Sequence, residues 1–196
     1  MRQELRFIRR LMKRESKLKP KFIANEHEKR KKRLITFVTG ILLSLLYVAI
    51  FGFSAQDADE SGGLSREVTE KCVETVTELS GKKVSASEKD RLVDRFEKPV
   101  RKMAHFTEYT AMGMLVCILL AQWYEKSRAR FGLNIGWVFV SAAFDEWHQY
   151  FVPGRYASVW DVFLDTAGGA FGVCLVALGC RLFFQINRIS LRRKNV

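Results

Sequence analysis

Six ionisable side chains in the second half of the chain fall into pairs at helical intervals. His105 and Glu108 are three residues apart, Asp145 and His148 three, and Asp161 and Asp165 four. Residues at those intervals share one face of a helix, so three helices could each turn a pair toward a common interior. Carboxylate and imidazole side chains on facing helices are how bundle proteins hold metal ions. The same groups can move protons, because histidine titrates near neutrality and neighbours can raise a carboxylate pKa. All six are therefore candidate catalytic residues, and all six are candidate ligands for a divalent metal. Arg155, in the turn Pro153–Gly154–Arg155, carries a planar fork of donors suited to phosphate or carboxylate.

The elements that must position these groups are written in apolar runs. Residues 34–53 contain no ionisable group except one Tyr, long enough to cross a hydrocarbon core of about 30 Å. Three further runs cover residues 103–124, 133–152 and 159–184, and the expected fold is all-α, a bundle of four transmembrane helices. A charged side chain near the bilayer centre costs at least about 2.5 kcal/mol, so polar groups inside such runs need a compensating role.

The charge pattern orients the bundle. The net charge is +12, yet the excess is concentrated beside the first span rather than spread as on a nucleic-acid-binding surface. Residues 1–33 carry fourteen Lys and Arg against four acids. The bias toward Lys and Arg in cytoplasmic segments places this region, and a basic tail at 185–196, on the inner side. The membrane domain is then 34–184, with an outer loop at 54–102. Leu5, Ile8, Leu11 and Met12 recur at helical spacing among basic residues, a pattern that suits anionic lipid. A solvated tail that only sets topology is the plainer reading. The basic region is too long, and lacks a small-residue cleavage site, for a secretory signal peptide.

In the outer loop, Val68, Cys72, Val76 and Leu79 share a helical face, which could lie on the membrane or cap the bundle. A second loop helix is expected to begin at Ser87, whose side chain could cap it, and Pro99 is expected to break or bend it. Cys117, Cys174 and Cys180 fall in spans and Cys72 in the loop, with no zinc-like spacing and no disulfide framework.

With this topology the ionisable residues of the last three spans gather in one slab near the outer surface, while the inner halves stay apolar. The plainer alternative is that these groups pair with one another and lock the helices, without a ligand. Arg101 and Lys102 could snorkel to the interface. The Trp and Tyr residues near the run boundaries read as an aromatic belt. Gly168, Gly169 and Gly172 offer a small face for close helix packing.

Two stretches, RKMAHFTEYTAMG at 101–113 and DEWHQYFVPGRYASVWDVFLDTAGGAFG at 145–172, closely resemble the signature regions of the VanZ-like family, and FSAQD at 53–57 is similar to it as well. The resemblance implies a small integral protein of the bacterial cytoplasmic membrane, from a family whose founding member is associated with low-level resistance to the glycopeptide teicoplanin. It brings no accepted reaction or cofactor. Lys102, His105, Glu108, Tyr109, Asp145, Glu146, His148, Gln149, Arg155, Asp161 and Asp165 match its motif positions, and Lys102, Tyr109, Glu146, Gln149 and Arg155 are the candidate substrate-binding residues. Asp165 stands where the family often has Asn.

Two functions of different class follow. One is a membrane hydrolase or transferase acting on a lipid headgroup or lipid-linked envelope precursor at the outer leaflet. The other is a non-catalytic protein that sequesters or shields an envelope component or the drug. A transporter fits less well, since a translocation path needs polar groups at the midplane or on both sides.

Overall fold

The computed structural model describes residues 2–81 and 84–194, with side chains described for 25–57, 62–81 and 84–188. Among the described residues five helices follow one another: α1 (Arg2–Ser54), α2 (Ala58–Ser80), α3 (Ala86–Ala121), α4 (Ser127–Gln149) and α5 (Val159–Lys194). No strand occurs among the described residues, so the fold is all-α as expected. The apolar face expected at Leu5, Ile8, Leu11 and Met12 lies outside the described side chains.

Three helical segments among the described residues are long and apolar enough to cross a membrane: Asn25–Ser54, Ala86–Ala121 and Val159–Arg188. The further span expected over residues 133–152 falls on α4, which does not reach that standard. Its 23 residues include Arg128, Arg130, Asp145 and Glu146. Leu34, Phe37, Leu45 and Val48 of α1, with Phe183 and Phe184 of α5, stay exposed on the outside of the bundle. Such a surface suits lipid, where apolar side chains need no protein partner.

The central helix is α3, which touches the other four. Its Tyr109, Met112, Val116 and Leu120 recur at helical spacing and bury together with Leu43 and Ile50 of α1, Val138 and Ala142 of α4, and Val162 of α5. The cap lies two residues before the expected one. The Ser85 side chain, not that of Ser87, accepts the Glu88 N–H at 3.4 Å, the Ser-x-x-Glu arrangement of a capping box. Pro99 does not end the helix. It lies within α3, where its missing N–H leaves the Arg95 carbonyl without its usual donor. At 36 residues α3 is about 54 Å long, well beyond the hydrocarbon core, so its first turns project past it.

Those first turns pack against α2 in an antiparallel hairpin. Arg66 pairs with Asp94 at 2.6 Å and Lys89 with Glu74 at 2.5 Å. The face of α2 turned to α3 is small and polar, with Ser65 and Thr69 buried. Val68, Val76 and Leu79, the apolar face read from the sequence, are left exposed.

Helices α3 and α5 run parallel and nearly touch. A β-carbon on Gly168 would lie 2.5 Å from the Phe106 carbonyl oxygen, and one on Gly172 would collide with the Thr110 carbonyl. The glycine run thus does what small residues do in membrane helices, letting two backbones approach. Buried Asn134 of α4 donates from Nδ2 to the Gly113 carbonyl at 2.9 Å, tying α4 to the same crossing.

Candidate functional site at the polar end of the bundle

The parallel register of α3 and α5 brings Lys102 against Asp161, and the two side chains form an ion pair. Beside them opens a cavity of about 480 Å³. From α3 it is lined by Glu97, Lys98, Arg101, Lys102 and His105, successive positions on one face. From α4 come Glu146 and Gln149, and from α5 Asp161, Leu164 and Asp165. Gly154, Arg155 and Tyr156 of the α4–α5 connection close the wall.

That connection is built to aim Arg155. Pro153 and Gly154 occupy the centre of a turn closed by the Arg155 N–H to the Val152 carbonyl at 3.2 Å. Gly154 has φ +73°, the left-handed conformation a type II turn requires after Pro. Arg155 is nearly fully buried. Its Nε donates to the Gln56 carbonyl at 3.1 Å and its Nη2 to the Phe53 carbonyl at 3.0 Å, so it caps the end of α1. Nη1 donates to Gln149 Oε1 at 3.2 Å, and Gln149 Nε2 donates in turn to Asp145 Oδ2 at 3.1 Å. Burial pushes the guanidinium pKa down from its ordinary value, and the positive charge of Arg101 pushes the same way. The Glu146 carboxylate accepts the Ser158 N–H at 2.7 Å, fixing the last residue before α5.

A second cavity, of about 330 Å³, adjoins the first. Arg101, His105 and Arg155 border both. Its remaining walls are mostly apolar, with Phe53 from α1, Leu64 and Val68 from α2, and Val100 and Ala104 from α3, and Glu108 lies at its edge.

The eleven residues read from the sequence thus separate. Lys102, His105, Glu146, Gln149, Arg155, Asp161 and Asp165 share the polar cavity. Glu108 faces the apolar cavity, its Oε2 3.6 Å from His105 Nδ1. Three line neither cavity. Tyr109 is fully buried in the core, Asp145 is fully buried behind Gln149, and His148 packs edge-on against the Phe51 ring at 6.0 Å. Glu97 and Lys98 join the cavity without having been singled out, and Tyr156, read as part of an aromatic belt, joins it too. The two α3 residues precede His105 by eight and seven positions, so extending its helical face by two turns finds them.

Buried atoms at the site are left without partners. Among the described residues His105 Nδ1 and Asp165 Oδ1 make no hydrogen bond. Such groups lose solvation without compensation and favour a ligand that supplies the missing partner. Among the described residues no group of three His, Cys, Asp or Glu side chains is placed to hold a metal ion. The four cysteines are free.

The family model described as VanZ/LLP1 matches residues 39–183, most of the chain and all of this site's walls. The chain belongs to the VanZ-like family. As a VanZ-like protein with three apolar helices of membrane-crossing length, it is a multi-pass membrane protein. Searches of curated proteins and of solved structures each return no match.

Proposed function

We propose that this VanZ-like protein binds and acts on the headgroup of a lipid or lipid-linked envelope precursor at the outer leaflet of the bacterial cytoplasmic membrane, and through that substrate influences teicoplanin susceptibility. One observation carries the reading: charged and polar side chains from α3, α4 and α5 converge in a single cavity, and α3 and α5 each continue from it into an apolar stretch. A headgroup at a membrane surface meets the protein at that level. In this reading α4 is the fourth span. Because α3 and α5 run parallel, the chain must return across the same thickness between them, and 23 helical residues cover about 34 Å. The basic N-terminal segment then lies inside, on anionic lipid, and the cavity opens outside.

The chemistry assigned is acid–base. In this reading His105, with Glu108 beside its Nδ1, takes or gives the proton, and Asp165 is a carboxyl lining the same cavity. Arg101 and Lys102 hold the anionic part of the substrate. The second reading, a binder that shields its ligand, draws on Arg155 and Glu146, whose hydrogen bonds go to the protein's own backbone and make a preformed bowl.

Mass spectrometry of lipid and precursor extracts separates the two. Deletion cells and cells carrying His105→Ala should accumulate one species that wild-type cells clear. Extracts identical in all three strains, with His105→Ala protein present in the membrane, would remove the enzymatic reading and leave the binder.

A further inference from the structure

Arg101 and Arg155 stand at the boundary of both cavities, one wall polar and the other apolar. Arg101 forms no ion pair among the described residues, and neither does Lys98 one turn before it. Two guanidinium groups facing a shared opening repel each other, and an anion between them relieves that repulsion. The group that suits them is a phosphate, which takes parallel N–H donors from arginine. Beyond that boundary the apolar cavity leads past Val100 and Ala104 to Leu64, Val68 and Phe53. These last three are about half exposed, so the cavity opens on the outside of the bundle where α1 turns into α2. Its volume of about 330 Å³ gives room for the start of one hydrocarbon chain.

We infer that the ligand is a single-chain phosphate lipid, its phosphate between Arg101 and Arg155 and the first part of its chain in the cavity walled by α2. This rests on the headgroup reading above and adds the class of molecule and the path of its tail. It also assigns α2 a role: Leu64 and Val68 are a wall of the tail path, while Ser65 and Thr69 dock the helix on α3.

The test uses the full-length protein purified in a neutral detergent, with native mass spectrometry and thermal shift as readouts. The probes are farnesyl phosphate, lysophosphatidic acid, two-chain phosphatidic acid and inorganic phosphate. The two single-chain phosphates should bind, and phosphatidic acid should bind at least about tenfold more weakly. Arg101→Gln should weaken the single-chain probes by about tenfold to a hundredfold, the effect of losing a hydrogen bond to a charged group. Leu64→Trp and Val68→Trp, made separately at half-exposed positions, should fill the tail path. Each should weaken farnesyl phosphate while leaving binding of inorganic phosphate as in the wild type. If both tryptophan variants bind farnesyl phosphate normally, or phosphatidic acid binds as well as the single-chain probes, the inference is wrong and the headgroup reading stands. If no phosphate probe binds while His105→Ala still alters the extracts, the phosphate assignment fails alone.

Discussion

Gly113 of α3 and Gly169 of α5 meet so closely that side chains are excluded from the contact. A β-carbon on Gly113 would fall on the Gly169 backbone, and one on Gly169 would lie 2.6 Å from Val138 Cγ1. The cavity depends on this crossing, because the same register sets Lys102 beside Asp161. Gly113→Leu or Gly169→Leu should therefore destabilise the protein by about 3 kcal/mol or more, at the upper end for overpacking. Gly179→Leu, where a β-carbon would meet nothing within 4 Å, should be neutral. Thermal unfolding in detergent, followed by tryptophan fluorescence, compares the three. A Gly113→Leu protein that melts with the wild type would show that the crossing does not set the fold.

The two histidines of the motif should behave differently. His105 borders both cavities, whereas His148 lies against Phe51 and borders neither. His105→Ala should abolish complementation of a deletion strain for teicoplanin susceptibility. His148→Phe, which keeps an aromatic ring in the Phe51 contact, should complement. The reverse pattern would move the working residue out of the cavity.

That contrast marks where the sequence is informative. Spacing on α3 was decisive, since the helix is long, continuous and central, and the face that carries Lys102 and His105 at the cavity continues into the core one to three turns on as Tyr109, Met112 and Val116. On α4 two pairs with the same three-residue spacing, Asp145 with His148 and Glu146 with Gln149, are offset by a single residue, about 100° of rotation. Spacing cannot choose between them. The choice is made by tertiary contacts: Glu146 caps Ser158 and Gln149 meets Arg155, which turns the second pair to the cavity. The tie from Arg155 to the Phe53 and Gln56 carbonyls was equally out of reach, because backbone acceptors about a hundred residues away leave no pattern in side-chain types. The apolar face of α2 was legible, but not that Ser and Thr would form its packed side.

Arg155 should prove structurally demanding. Arg155→Lys keeps the charge but cannot serve the Gln56 and Phe53 carbonyls and Gln149 together. A loss of about 2–4 kcal/mol is expected, from more than one hydrogen bond to a charged group and buried acceptors left bare. The corner between α1 and α2 should loosen as well, seen as faster amide exchange at residues 53–57. Unchanged melting and exchange would leave Arg155 free for ligand alone.

The α2–α3 hairpin should respond to acid and salt. Hydrogen bonding from Lys89, then its charge, holds the Glu74 carboxyl below its ordinary value of 4.5, and Lys71 does the same for Glu67. A depressed native pKa means the contribution is present above the ordinary glutamate value and is lost as pH falls through the lowered one. Both groups are fully exposed, so the effect is small and screened by salt. Amide protection across Ala58–Ser80 should fall between about pH 5 and 3 and in molar salt, with the rest of the bundle unchanged. Protection that rises on acidification would reverse the sign of this electrostatic contribution.

The Lys102–Asp161 pair allows stability and function to be separated. The Lys102 side chain is 52% exposed and that of Asp161 28%, so the pair contributes about 0–1 kcal/mol despite its close contact. Lys102→Ala and Asp161→Asn should each melt near the wild type. Both should nevertheless lose complementation, because one removes a cation from the cavity and the other leaves Lys102 without its anchor. Exchanging the two, with Lys102→Asp and Asp161→Lys in one protein, restores an ion pair between the same helices but moves the positive charge from the α3 wall, away from Arg101, to α5. Wild-type melting with no complementation is the expected result. Were the exchanged protein fully functional, the pair would be a helix clamp indifferent to polarity, and Lys102 would have no part in holding an anionic headgroup.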